Sequence, residues 1–316
     1  MSKGPGKSHR KGLSLDRLFR MFPTDEAAAA WFAAERWPDG PSCPHCGSRN
    51  VQRDIKHPTM THRCRDCPTR RMFSLRTGTV MQASPLGYRT WLAAIYLVAT
   101  NLKGVSSMKL HRDLGISQKS AWYLAHRIRE AWKEAGDPFI GPVEADEAYM
   151  GGKRKNMPKS RRAAMKGAGS LAGKTIVAGA KDRRTNKVSA AVVEGTDGWT
   201  LQSFVEDRVV ADARVYTDEH ASWLGLLFHD HESVNHSKGE YVRGDAGTQG
   251  IESFWAMLKR AHTGTFHKIS PKHMDRYVTE FAGRHNDRQS DTLDQMGNIV
   301  RGMIGRRISY TDLTAS

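Results

Sequence analysis

The chain has 316 residues, 39% of them hydrophobic, which is enough to bury a core and suggests two domains or one core domain with small appendages. It carries 49 Lys and Arg against 33 Asp and Glu, a net charge of +16, and a chain this basic usually meets a polyanion. The longest apolar run, TWLAAIYLVATN from residue 90, is about half a membrane span. The N-terminus lacks the order of basic, apolar and small residues that marks a secretory signal, so the reading is a cytoplasmic protein whose partner is nucleic acid rather than a membrane.

Residues 1–12, MSKGPGKSHRKG, form a basic tail expected to be disordered until it meets a phosphate backbone. FPTDEAAAAWFAAERW (22–37) reads as a helix with Thr24 as N-cap, acids in its first turn, and PDGP as its stop. All four cysteines follow within 25 residues, Cys43 and Cys46 in CPHC, Cys64 and Cys67 in CRDC. Two such knuckles offer four thiolates to one tetrahedral Zn²⁺, a closed structural site; two disulfides are the alternative use of the same residues. His45, His57 and His62 are then expected as surface or phosphate-facing side chains. HRCRDCPTRRMFSLRTGTV has the alternation of short strands, so helix and ribbon together span 13–82.

Residues 83–137 turn helical. GVSSMKLHRDLGISQKSAWYLAHRIREAW (104–132) has the pattern of a helix-turn-helix, which an ordinary helical hairpin shares. Leu110 and Leu114 face inward, Gly115 takes the turn, Ile116 plugs the corner, and Ala121, Leu124, Ala125 and Ile128 mark the buried face of the second helix. Ser117 caps that helix and leaves Gln118, Lys119 and Tyr123 free to enter a major groove.

A third region spans 138–300, with a tail at 301–316. FIGPVEADEAYMGG reads as a strand ending at Asp146 and Glu147. Seven Lys and Arg and no acid follow between 153 and 166, among them Lys153, Arg154, Lys155, Arg161 and Arg162. KTIVAGAKDRRTNKVSAAVVEG is a hairpin turning at DRRTNK, WTLQSFVEDRVV a helix, and ARVYTDEHASW a strand that delivers Asp218 at its end. GIESFWAMLKRAH (250–262) is a helix with Thr248 as its cap. Ile251, Phe254, Trp255 and Leu258 are spaced to pack, while Glu252 and Lys259, nearly two turns apart, share one edge. SPKHMDRYVTEFAGRHNDR closes the region as a helix.

Strand, hairpin, helix, strand, helix is the order of a ribonuclease-H-like mixed α/β domain. Asp146, Asp218 and Glu252 fall on its first strand, at the end of its fourth, and on a later helix. Three carboxylates suit two Mg²⁺ ions about 4 Å apart, one activating the attacking oxygen and the other stabilising the leaving one. Glu144, Glu147, Glu219, Glu240 and Asp245 are rival ligands on spacing alone. Lys259 could hold a DNA phosphate beside the metals.

The chain resembles the zinc-ribbon DDE transposases of bacterial insertion sequences over roughly residues 14–310. The likeness lies in the strings already quoted and in VYTDEHASW, VNHSKGEYVRGD and GIESFWAMLKR. It departs at 247–250, GTQG where family members often read HTNG. The resemblance implies a catalytic Asp146, Asp218 and Glu252 with Lys259, and two Mg²⁺ for which Mn²⁺ can substitute. It also implies binding to terminal inverted repeats and target DNA, as a homo-oligomer. The alternatives are a transcriptional regulator with a zinc ribbon and no catalytic activity, and a structure-specific nuclease that cuts without joining.

Overall fold

The computed structural model describes residues 10–133, 136–152, 157–164, 173–226, 229–234 and 242–315. In chain order its elements are α1 (Leu15–Met21), α2 (Asp25–Arg36), β1 (Val51–Gln52), β2 (His62–Cys64), β3 (Met72–Phe73), α3 (Tyr88–Thr100), α4 (Ser107–Leu114) and α5 (Gln118–Arg129). Then come β4 (Val143–Met150), α6 (Lys159–Ala164), β5 (Thr175–Asp182), β6 (Val188–Val193), α7 (Gly198–Glu206), β7 (Arg214–Asp218) and β8 (Asp230–Val234). The last helices are α8 (Gln249–Ala261), α9 (Pro271–Asp287), α10 (Thr292–Gly302) and α11 (Tyr310–Thr314). Two compact units result: Met1–Lys133 with Asp287–Ser316, and Glu134–Asn286. Among the described residues no helix is long and apolar enough to cross a membrane.

In the first unit, β1, β2 and β3 form a small antiparallel ribbon. Beside it the helices share one core, in which Phe32, Trp91, Leu110, Leu124 and Met296 are buried. The Thr24 side chain accepts the Ala27 N–H at 3.2 Å, so α2 begins where its capping residue predicts. Between α4 and α5 lies a tight turn in which Gly115 adopts φ 63°, a left-handed conformation that costs any residue with a Cβ. Ser117 accepts the Ser120 N–H at 3.1 Å and caps α5. Leu110, Ala121, Leu124, Ala125 and Ile128 are buried as their spacing predicts, whereas Leu114 and Ile116 are only partly so.

The boundary expected at residue 300 falls instead between Asn286 and Asp287. Met296, Ile299, Val300 and Met303 fill the core of the first unit, and Val80 and Gly305 donate to the Met303 and Gly78 carbonyls at 3.2 and 2.8 Å. The apolar side of α10 thus finds its partners some 200 residues upstream, beyond any local signal. The expected tail also holds a helix. Ser309 and Asp312 form a reciprocal capping box at the start of α11, and Ile308 and Leu313 are buried.

The second unit is a mixed sheet of order β6-β5-β4-β7-β8. β5 runs antiparallel to β4 and β6, while β7 runs parallel to β4 and β8. Side chains alternate along β4. Val143 and Ala145 enter one core with Leu201 and Phe204 of α7; Ala148 and Met150 enter the other with α8 and α9. β4 does not end at Asp146 and Glu147. β5 pairs with all of Val143–Met150, which puts Asp146 mid-strand opposite Gly179.

Candidate catalytic carboxylates and a cysteine metal centre

The ribbon brings the cysteines together. The sulfurs of Cys43, Cys46 and Cys67 lie within 4.8 Å of one another, and that of Cys64 lies 3.7 Å from Cys46. All four are free thiols, so the disulfide alternative is not the arrangement found. A tetrahedral Zn²⁺ with Zn–S of about 2.3 Å separates neighbouring sulfurs by about 3.8 Å, so this donor set fits one structural zinc. The turns that aim the sulfurs are local. Gly47, at φ 75°, donates to the Cys43 carbonyl at 2.9 Å, and Asp66 accepts from Ser48 at 2.5 Å and Asn50 at 2.7 Å, joining one knuckle to the other. His62 is half-buried rather than fully at the surface. It stacks on Phe73 at 5.3 Å and lies 5.2 Å from Trp37, and burial lowers its pKa.

In the second unit, Asp146 lies on the α8 face of the sheet. Trp255 of α8 donates its indole N–H to one Asp146 oxygen at 3.0 Å, and the Glu147 N–H donates to the other at 2.8 Å. Burial pushes the Asp146 pKa up to about 7, helped by repulsion from Glu147 and Asp218. Asp218 ends β7, two residues past the last paired positions of β4 and β7, and accepts the His220 N–H at 3.1 Å. Glu147 follows Asp146 and so faces the other side of the sheet; burial and then Asp218 raise its pKa.

Glu252 sits exposed in the first turn of α8 and accepts from the Thr248 hydroxyl at 3.0 Å; Lys259 is exposed two turns on. Thr248 stands at the N-cap position of α8, but its side chain does not cap the helix. Glu144, buried on β4, does: it accepts the Ile251 N–H at 2.8 Å and pairs with Arg183 at 2.7 Å. Arg183 also donates to the carbonyls of Asp245 and Gly247 at 2.5 and 2.7 Å, and lies over the Tyr216 ring at 4.5 Å. Gly179 lets α8 approach, because a Cβ there would meet the Trp255 ring at 2.6 Å. Sequence reasoning misses Glu144, Arg183, Trp255 and Gly179 as positioning groups. The one hint is small Gly250 opening GIESFW, whose Cβ would meet Glu144 at 2.7 Å.

β4 and β7 bring Asp146 and Asp218 within electrostatic reach of each other, while Glu252 stands on the exposed first turn of α8, which packs on the same face of the sheet as Asp146. The three carboxylates do not form a cluster with every ligand oxygen within 4.8 Å; among the described residues only the cysteines do. On α5, Gln118 and Lys119 are exposed, with Gln118 donating to Ser107 at 3.1 Å. Tyr123 is not free as expected. Its hydroxyl donates to the Ile308 carbonyl at 2.8 Å, and the Lys119 ammonium lies 4.5 Å over the Tyr310 ring, so the C-terminal segment covers part of this face. Arg161 and Arg162 belong to α6; Lys153, Arg154, Lys155 and Glu240 lie outside the described residues.

Comparison with known proteins agrees with this division. Residues 23–70 match the transposase zinc-ribbon domain, and residues 138–286 match the ISXO2-like transposase domain. A Halobacterium salinarum protein, described as an uncharacterised protein in transposable element ISH50, is 29% identical over 252 residues, 76% of this chain and 84% of its own. An uncharacterised transposase-like protein of Haemophilus influenzae is 28% identical over 121 residues, 37% of this chain and 97% of its own. The mixed five-stranded sheet with its helices fits a DDE transposase domain. The chain thus carries a transposase zinc-ribbon domain followed by an ISXO2-like transposase domain, and is similar over most of its length to a protein of a transposable element.

Proposed function

We propose that this transposase binds the terminal inverted repeats of its element and catalyses Mg²⁺-dependent DNA cleavage and strand transfer through Asp146, Asp218 and Glu252. The observation that carries the reading is the buried negative charge on β4: Asp146 is desolvated, repelled by two neighbouring carboxylates, and has an indole and an amide N–H as its hydrogen-bond donors. A core has no use for such a group, whereas hard divalent cations are held by carboxylate oxygens. Two Mg²⁺ held there would supply Lewis acidity to the attacking and leaving oxygens of an in-line displacement. The strand order, with β4 central and the acids on β4, β7 and α8, supports a ribonuclease-H-like domain.

The chain's own groups would divide the work. Trp255 orients Asp146, and Glu144 with Arg183 holds the start of α8 and with it Glu252. Lys259 would grip a phosphate beside the site. Gln118 and Lys119 on α5 would read element-end bases as the second helix of a helix-turn-helix, with α11 limiting the part played by Tyr123. The segment with Lys153, Arg154, Lys155, Arg161 and Arg162 would hold flanking or target DNA, in an assembly of more than one copy. Purified protein incubated with labelled element-end DNA, a target plasmid and Mg²⁺ should yield joined product. Tight end binding without nicking or joining, in Mg²⁺ or Mn²⁺, would leave a DNA-binding regulator as the better reading.

A further inference from the structure

The first unit contains a groove of about 1180 Å³ between the β2–β3 hairpin and the segment 74–88 leading into α3. Its lining holds four arginines, Arg63, Arg70, Arg71 and Arg76, and not one Asp or Glu. Elsewhere in the same unit arginines pair with acids: Arg20 with Asp16, Arg49 with Asp39, Arg301 with Glu35. The four groove arginines have no carboxylate within ion-pair distance among the described residues. Two are anchored to the walls through uncharged partners. Arg71 donates to the Cys67 carbonyl at 3.0 Å; Arg76 donates to the Ser84 carbonyl at 2.5 Å and lies over the Tyr88 ring at 4.2 Å. Arg63 and Arg70 are exposed on the ribbon side.

We infer that this groove binds the sugar–phosphate backbone of element-end DNA, which rests on the transposase reading above. Guanidinium groups present forked donors that match phosphate oxygens, and anchored ones lose little freedom on binding. Hydroxyls such as Thr59, Thr61 and Ser74 add neutral donors of the kind that bind phosphates, while Met60 and Met72 offer apolar surface to the sugars. The groove is wider than a small-ligand site, and four uncompensated charges suit a polyanion better than one phosphate group. Its place in the ribbon also explains how the unit could grip DNA while α11 covers part of α5. The groove supplies grip rather than sequence preference, since phosphates carry no sequence information directly.

The test uses the full chain with zinc bound and fluorescence anisotropy on an element-end duplex and on a shuffled duplex, across a series of KCl concentrations. Arg63→Gln with Arg70→Gln should flatten the slope of log affinity against log salt by about 1.8, because each phosphate no longer neutralised removes about 0.9. Both duplexes should weaken by the same factor, leaving the preference between them unchanged. Arg63→Lys with Arg70→Lys keeps both charges and should retain the original slope, and one zinc per chain in each variant checks that the ribbon is intact. Arg17→Gln with Arg20→Gln on α1, an equal loss of charge away from the groove, should leave the slope nearly unaltered. Original slope and affinity in the groove glutamine variant, or an equal loss in the α1 variant, would overturn the inference and leave the transposase reading standing. An unmodified chain that binds neither duplex at low salt would overturn both.

Discussion

The two candidate metal centres are built in opposite ways. The four cysteines come from one stretch of 25 residues, and the turns that aim them are made within it. The carboxylates come from β4, β7 and α8, with 71 and then 33 residues between them, and are held by a sheet register and a helix docked through Trp255 and Glu144. A local site stands or falls with its ligands. A long-range site can also be lost through residues that touch no ligand oxygen, and the expected effects of substitution follow that difference.

The largest effect is expected at the ribbon. Structural zinc contributes on the order of 10 kcal/mol to small modules, so Cys43→Ser or Cys64→Ser should release the metal and unfold the ribbon. The second unit, Glu134–Asn286, should keep its own unfolding transition, measured by calorimetry beside zinc analysis. One merged transition that shifts as a whole would erase the contrast.

The carboxylate site should instead show its strain through pH. The folded pKa of Asp146, about 7, lies above the ordinary aspartate value of 3.8. Between those values the folded chain holds a proton that the unfolded chain lacks. Stability from this group is therefore fullest below about pH 4 and is lost as pH rises to about 7. In metal-free protein Asp146→Asn removes that loss and should stabilise the second unit at pH 8 by up to about 4 kcal/mol. Urea melts at pH 5 and pH 8 check this; equal gains at both pH values would contradict it. Added Mg²⁺ should stabilise the unsubstituted chain more than the variant.

Positioning comes next in size. Removing one member of a buried ion pair costs about 3 kcal/mol, so Arg183→Ala should destabilise the second unit and reduce strand transfer although Arg183 is no metal ligand. Mn²⁺ should recover part of the activity if Glu252 is merely displaced. The smallest effect belongs to Lys259→Ala. Strand transfer should fall by about tenfold and recover at low salt, as expected when a single phosphate goes unpaired.

What can be read from the residues divides along the same line. CPHC and CRDC declare their geometry, as do Thr24 and Gly115, because each acts within a few residues of itself. The acids need the order of strands and helices to be singled out from the others, and Glu144, a rival ligand by spacing, proves to cap α8 from another element. Nothing near Ile251 announces a partner 107 residues away. Residues 287–316 elude a sequence reading for the same reason, since the core that buries Met296 and Ile299 lies at the other end of the chain. Tyr123 has a groove-facing position by helical spacing, yet its hydroxyl is taken by Ile308.

Whether β4, β7 and α8 build a divalent-metal site for joining DNA is tested most directly by strand transfer. A labelled element end and a plasmid in Mg²⁺ would be joined by the unsubstituted chain, set beside Asp146→Asn, Asp218→Asn and Glu252→Gln. Each variant should bind the end as well as the unsubstituted chain, or more tightly as repulsion of phosphate falls, and yield no joined product. Full joining by all three variants would contradict a carboxylate metal site on these elements.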